Sequence, residues 1–371
     1  MAERLQAFDV LALIRSGDRE SAQEELGPEV PLREVGDGPL RQLPEDLDHS
    51  GNILFLALGA NFLEGQGGRT RARLVVVEHG FRYQDKAYSI SDHLCHPLLG
   101  RGFWKGVLCT YSVYLRKKRL RHAMSRVRRR FEALKDGDRV VCPSRHSQYA
   151  LYLDLGSLVP GREERFRDEV GLLPPLTPFV PDGGPDRDND RGGILLLSAN
   201  RLVKNAERFL EGIARHEPSR QAANREGIDL VGADEACRRR LRRRFGNVLN
   251  LRFHPYVQSE QLQDFIRNAR IMAFPTLSEG YGIPPVEAFK WGTPVLASAV
   301  TSVPEVVGGA AMLADPLQPT EMANRLLQLL ADPELRNAKS EEGRKRYERL
   351  REETFSCWDR FVHEIDQPYP S

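Results

Sequence analysis

Cysteine is scarce in this chain and poorly placed for cross-linking. The five thiols, Cys95, Cys109, Cys142, Cys237 and Cys357, are scattered over 371 residues with no CxxC pair. That argues against a disulfide framework or a zinc ribbon and suits a reducing compartment. Long apolar runs are also missing, and no stretch approaches the roughly 20 residues needed to span a bilayer. The opening MAERLQAFDVLALIRSGDRE carries acidic residues and no signal-type cleavage site, so secretion is not expected and a cytoplasmic location is. There is no solenoid-type repeat and no long low-complexity segment. A Walker loop, a GxSxG elbow and a GxGxxG fingerprint are all absent, which removes the commonest phosphate, hydrolase and dinucleotide signatures. The formal net charge is only +2.

That small sum hides an uneven distribution. Residues 116–130 read RKKRLRHAMSRVRRR and residues 238–244 read RRRLRRR. The plain reading of each run is a solvated helix face. For Arg116–Arg130, contact with anionic lipid or a polyanionic substrate is the functional alternative, which leaves room for peripheral attachment at the inner membrane face. Nucleic acid is not expected, because the runs lack interleaved aromatics and no nucleic-acid module surrounds them.

The chain is long enough for two domains, and its 40% hydrophobic and 29% charged residues are ordinary for a globular protein. In the second half, short apolar runs alternate with helix-like stretches. The runs are Ile194–Ala199, Ile228–Val231, Leu249–Phe253, Ile271–Phe274, Pro294–Ala297 and Ala311–Ala314. In PTEMANRLLQLLADP, Met322, Leu326, Leu327 and Leu330 fall at helical spacing. Alternating short strands and helices predict a parallel α/β sheet. The first half is less regular, with candidate strands Phe8–Ile14, Ile53–Leu58, Leu74–Val77 and Arg139–Cys142. Between the halves, PDGGPDRDNDRGG at 181–193 is nearly devoid of apolar residues and reads as a linker. The expected organisation is an N-terminal domain over 1–182, a linker over 183–193, a second domain over 194–350 and a final helix over 351–371. Two such domains predict a ligand cleft between them, at the carboxyl ends of the strands.

Residues 272–294, MAFPTLSEGYGIPPVEAFKWGTP, carry the strongest chemistry. A strand ends at Phe274, a loop with Gly280 and Gly282 follows, and a helix starts near Pro284 or Pro285. The glycines let backbone approach a ligand, and a helix start offers N–H groups and a positive dipole end, a combination that suits a diphosphate. Glu279 on the loop and Glu287 in the helix are placed to accept hydrogen bonds from sugar or ribose hydroxyls. An ordinary βα loop with acidic capping is the bland alternative. The string closely resembles the E-x7-E segment of retaining GT-B glycosyltransferases of glycosyltransferase family 4, and the likeness continues into ASAVTSVPEVVGGAAMLADP. The resemblance implies that Glu279 contacts the donor sugar and Glu287 the ribose, with Gly280, Tyr281 and Gly282 lining the donor.

Two further segments fit the same family. In ILLLSANRLVKNAERFLEGI (194–213), Arg201 and Lys204 sit in a strand-end loop, with Asn205 as the candidate N-cap of the next helix. They resemble the family's diphosphate-binding Arg and Lys, at a spacing one or two residues shorter than is common. Their charge suits a departing nucleoside diphosphate. In LVVVEHG (74–80), His79 is similar to the family's first-domain His that approaches the donor sugar. RVVCPSRHSQ (139–148) resembles an acceptor-side segment, which makes Ser144 and Arg145 lining candidates. The tail TFSCWDRFVHEI resembles the family's last helix, crossing back to the first domain with Trp358 and Phe361 as anchors.

The implied fold is α/β, GT-B: two Rossmann-like domains facing a cleft. The implied activity is transfer of a sugar from a nucleotide-sugar donor to an acceptor hydroxyl with retention of configuration. The acceptor, whether sugar, lipid-linked or protein, is left open. Glu279, His79, Arg201 and Lys204 would serve catalysis. No metal and no cofactor beyond the co-substrate is expected. The DxD strings at 186–190 lie in the linker, and His93 and His96 have no third ligand. One departure stands out: the opening strand and Gly-rich loop of such first domains are not seen in residues 1–60. The expectation is that this stretch is rearranged or that the natural protein begins upstream of Met1. A non-catalytic sugar-nucleotide binder and a polyanion- or membrane-binding protein acting through Arg116–Arg130 are the alternatives.

Overall fold

In the computed structural model the described residues are 12–15, 32–35, 53–56, 73–77, 138–158, 170–176 and 191–366. They fall into two compact units, one comprising everything described up to Leu176 together with the chain from Glu353, the other comprising 191–352.

In the first unit, β1 (Ala12–Arg15) pairs in parallel with β2 (Leu32–Val35) as a two-stranded sheet. Strands β3 (Ile53–Leu56), β4 (Arg73–Val77), β5 (Arg139–Cys142) and β6 (Val170–Leu172) form a parallel sheet in sequence order. The described residues within 1–60 therefore include three strands, one more than expected. β2 (LREV) and β6 (VGL) escaped the sequence reading because neither has an apolar run long enough to stand out. Helix α1 (Arg145–Leu158) follows β5, and the Ser147 N–H donates to Ser144 Oγ at 3.0 Å, an N-cap contact. Ser144 is buried and Arg145 is exposed.

In the second unit, β7 (Ile194–Leu197), β8 (Ile228–Val231), β9 (Leu251–His254), β10 (Ile271–Phe274), β11 (Val295–Ser298) and β12 (Met312–Ala314) form one parallel sheet, ordered β12-β11-β10-β7-β8-β9. Between and after them run α2 (Ala206–Arg215), α3 (Glu217–Glu226), α4 (Glu235–Phe245), α5 (Ser259–Asn268), α6 (Ile283–Lys290), α7 (Val303–Val307), α8 (Pro319–Ala331) and α9 (Pro333–Asp366). Successive strand residues feed two separate cores. Ile194, Leu196, Ile271, Ala273 and Leu296 pack into one, while Leu195, Met272, Phe274, Val295 and Ala297 pack into the other. Both faces are covered, so these strands read as continuous apolar runs rather than as polar–apolar alternation. The buried face of α8 is Met322, Ala323, Leu326 and Leu329. Leu327 and Leu330 are only half-buried, so the stripe is rotated from the one expected. α8 lies so close to α2 that a Cβ on Gly212 would collide with the Pro319 carbonyl.

The arginine run at 238–244 forms most of α4. Arg240 Nε donates to Glu207 Oε1 at 2.5 Å and Arg244 Nη2 to Glu211 Oε2 at 2.8 Å, both carboxylates being on α2. Arg238, Arg239, Arg242 and Arg243 face outward. Two of the six arginines thus form a structural clamp and the other four are the solvated face. Arg116–Arg130 lies outside the described residues.

Candidate functional site

The order of the second sheet creates one special place. The chain runs outward from β7 through β8 to β9, then returns to lay β10 on the other side of β7. Loops leaving the carboxyl ends of β7 and β10 therefore diverge in opposite directions, and such a switch point is where open α/β sheets bind ligands.

Both loops carry the residues singled out from sequence. After β7 the chain turns at Ser198 (φ +52), and a 3-10 turn at Leu202–Lys204 takes up the short Arg201–Lys204 spacing. After β10 comes the loop Pro275–Gly282. Lys204 Nζ donates to Glu279 Oε1 at 2.7 Å, with the two side chains only 13% and 16% exposed. The loops are also stitched by backbone, since Leu277 N–H donates to Val203 O at 2.8 Å. Thr276 Oγ1 donates to the same Glu279 oxygen at 2.8 Å, and Lys204 Nζ sits 5.0 Å over the Phe274 ring. Glu279 Oε2 takes no hydrogen bond from any described residue.

A second layer fixes the Glu279 loop from behind. The Glu279 N–H donates to Thr301 Oγ1 at 3.0 Å. The Ser302 hydroxyl bridges the carbonyls of Glu279 and Tyr281 at 3.1 and 3.0 Å. Thr301 is itself held at φ +50. Left-handed conformations at Ser198 and Thr301 cost roughly 1–2 kcal/mol each for non-glycine residues, and strain of this kind collects at working sites. Sequence reasoning missed Thr276, Thr301 and Ser302. Their only signal is a small hydroxyl residue at or near a strand end.

Helix α6 starts at Ile283, with Gly282 before it at φ +103. Pro284 and Pro285 fall in its first turn and have no N–H, so of the first four positions only Gly282 and Ile283 have helix-start N–H donors. The helix start is thus poorer in donors than expected. Gly280, Tyr281 and Gly282 are all buried.

Glu287 lies a turn further on. It makes no bond to Lys204 or Glu279, and Gln263 Nε2 from α5 donates to its Oε1 at 3.0 Å. Burial raises the Glu287 pKa above the usual carboxylate range, against smaller downward pulls from the Gln263 hydrogen bond and the Lys290 charge. Lys290 moves the opposite way, lowered by desolvation.

Arg201 is exposed in the β7 loop and makes no ion pair with any described residue. Asn205 is at the N-cap position of α2 but does not cap it. It sits at φ +56 and its Nδ2 donates to Pro316 O at 2.9 Å. His79 lies outside the described residues. So the structure joins Lys204 to Glu279, sets Arg201 in the same loop, and places Glu287 on the following helix.

The glycosyl transferases group 1 family model matches residues 187–346. Over 190 residues the chain is 30% identical to a D-inositol 3-phosphate glycosyltransferase of Segniliparus rotundus, covering 49% of this chain and 38% of that protein. Over 93 residues it is 39% identical to O-antigen chain mannosyltransferase B of Escherichia coli, covering 25% and 24%. The chain therefore spans well under two thirds of these curated relatives. Among solved structures it is similar to Anabaena Alr3699/HepE in complex with UDP and glucose, with a TM-score of 0.64 at 15% identity over 95% of this chain and 91% of that one. It is also similar to TarM, with a TM-score of 0.60 at 12% identity over 87% and 57%. These likenesses establish the fold as α/β of the GT-B type.

Proposed function

We propose that this chain, whose residues 187–346 match the glycosyl transferases group 1 family model, transfers a hexosyl or related sugar from a nucleotide-sugar donor to an acceptor hydroxyl with retention of configuration. The observation that carries the proposal is the Lys204–Glu279 pair at the β7/β10 switch point. In the transfer, the anomeric carbon exchanges its bond to the diphosphate oxygen for one to the acceptor oxygen; the diphosphate leaves with the electron pair, and the acceptor hydroxyl gives up its proton to the departing diphosphate or to water. Negative charge then grows where Lys204, Arg201 and the start of α6 can meet it. Preorganised donors of that kind are worth roughly a hundredfold or more in turnover. Glu279 Oε2 would take a sugar hydroxyl, Glu287 the ribose, and His79 would approach the sugar from the first domain. With the charge supplied by Arg201 and Lys204, no metal is needed, and transfer should continue in EDTA. Retention rests on the family resemblance alone. The acceptor is a sugar, a lipid-linked group or a protein, and Arg116–Arg130 would bring the chain to an anionic surface by an attraction that weakens with salt.

The test is a panel of nucleotide sugars scored for thermal stabilisation and then for transfer. A donor at 100 times its dissociation constant should stabilise the chain by about 2.7 kcal/mol. Lys204→Ala should lower turnover about a hundredfold. A panel with no stabilising donor, or full turnover in Lys204→Ala, would overturn the proposal.

A further inference from the structure

Helix α5 packs against α6, and part of that contact is a short directional chain ending on Glu287. Trp291 Nε1 donates to Gln263 Oε1 at 2.7 Å, and Gln263 Nε2 donates to Glu287 Oε1 at 3.0 Å. An indole N–H can only donate, so it selects the oxygen of the Gln263 amide and turns the NH2 group the other way. A carboxylate can only accept, so the chain has one polarity. The indole is itself held, buried to 9% exposure, with Arg267 at 5.4 Å and Lys290 Nζ at 5.0 Å from its ring. Glu287 Oε2 makes no hydrogen bond with a described residue and is left for a ligand.

We infer that Gln263, oriented by Trp291, is a positioning residue that holds the Glu287 carboxylate for a ribose hydroxyl of the donor. The inference rests on the donor-site reading above and adds to it two residues outside the motif loops. Gln263 touches no reacting atom. It works by removing one oxygen and one rotation from Glu287, so that the carboxylate is ordered before the donor arrives. Preorganisation of this kind appears as affinity.

Gln263→Glu keeps the size and the acceptor for Trp291 but replaces the donor facing Glu287 with a second carboxylate. Trp291→Phe keeps the ring and removes the N–H that sets the amide. The probe is whichever of UDP, GDP and ADP binds the wild-type chain most tightly by calorimetry, alongside its 2′-deoxy and 3′-deoxy counterparts. Gln263→Glu should raise the dissociation constant for the ribonucleotide about tenfold, with a smaller rise in Trp291→Phe. With the deoxynucleotide that lacks the contacted hydroxyl, the variants should match the wild type. In transfer assays KM should rise and kcat should hold. An equal loss on ribo- and deoxyribonucleotides would assign both residues to packing alone and overturn the inference, as would an unchanged constant in Gln263→Glu. A wild-type chain that binds none of the three diphosphates would overturn the donor-site reading itself, and this assignment with it.

Discussion

A carboxylate that gives up water without gaining a full counter-charge holds its proton more tightly, and Glu287 is in that position. Its folded pKa lies above the ordinary 4.5, so in the interval above 4.5 the folded chain binds more protons than the unfolded one. Stability therefore falls as pH rises through that interval, and the loss is complete once the folded group has ionised. Replacing the charge with a neutral isostere removes the loss. Glu287→Gln should raise the urea midpoint near neutral pH and leave it unchanged below 4.5, while weakening nucleotide binding. A midpoint shift of the same size on both sides of the interval would show that ionisation is not the cause. Lys204 and Glu279 solve the same burial problem differently, each serving as the other's counter-charge at 2.7 Å.

At the scale of elements, two glycines show that a tight place and a strained place are different things. Gly282, leading into α6, has φ +103, yet a Cβ there would meet only Phe274 Cε1 at 3.8 Å and Val303 Cγ2 at 3.9 Å. Its requirement is conformational, and Gly282→Ala should cost about 1–2 kcal/mol. Gly212 is helical, where alanine would ordinarily be favoured by about 0.5–1 kcal/mol. Its missing Cβ is what lets the Pro319 backbone at the start of α8 approach. Gly212→Ala should force α2 and α8 apart and destabilise the chain by more than Gly282→Ala does. Calorimetry should show the opposite ranking for nucleotide affinity, because only Gly282 belongs to the proposed donor loop. Urea unfolding with the two midpoints reversed would refute this division of roles.

At the scale of the whole molecule, one helix serves both compact units. α9 is 34 residues long. Its residues through Glu352 belong to the second unit and those from Glu353 to the first. In the first unit, Trp358 is 3% exposed and its Nε1 donates to Pro174 O at 2.8 Å, with the Phe361 ring edge-on at 6.3 Å. Replacing a buried tryptophan by alanine costs about 3–5 kcal/mol. Trp358→Ala should lower the unfolding transition of the first unit and leave in place the transition that nucleotide raises. Calorimetry with and without nucleotide separates the two, and a joint fall of both transitions would count against an anchor confined to the first unit.

How much of this was legible in advance follows from the range of the interactions involved. The strands of the second unit could be read directly, because strands covered on both faces must be apolar throughout, and Ile194–Leu197 and Ile271–Phe274 advertise that locally. The chemistry of the 272–294 loop was equally local: two glycines, two glutamates and a helix start within one short segment. β2 and β6 were not legible, since four and three residues hydrogen-bonded to distant partners leave no periodicity to detect. The stripe of α8 was misjudged for a related reason: spacing along a helix gives its period, while the neighbours decide which rotation is buried, here Leu329 rather than Leu327 or Leu330. Lys204 and Glu279 are 75 positions apart in sequence. Gln263, 28 positions before Trp291, lies in no motif, and Trp291, although inside the 272–294 string, stood out there for no chemistry. The sequence by itself determined which side chains were candidates for the chemistry. Only the return of β10 to the flank of β7 decided which of them meet, because that adjacency is a property of sheet order and is written in no single segment.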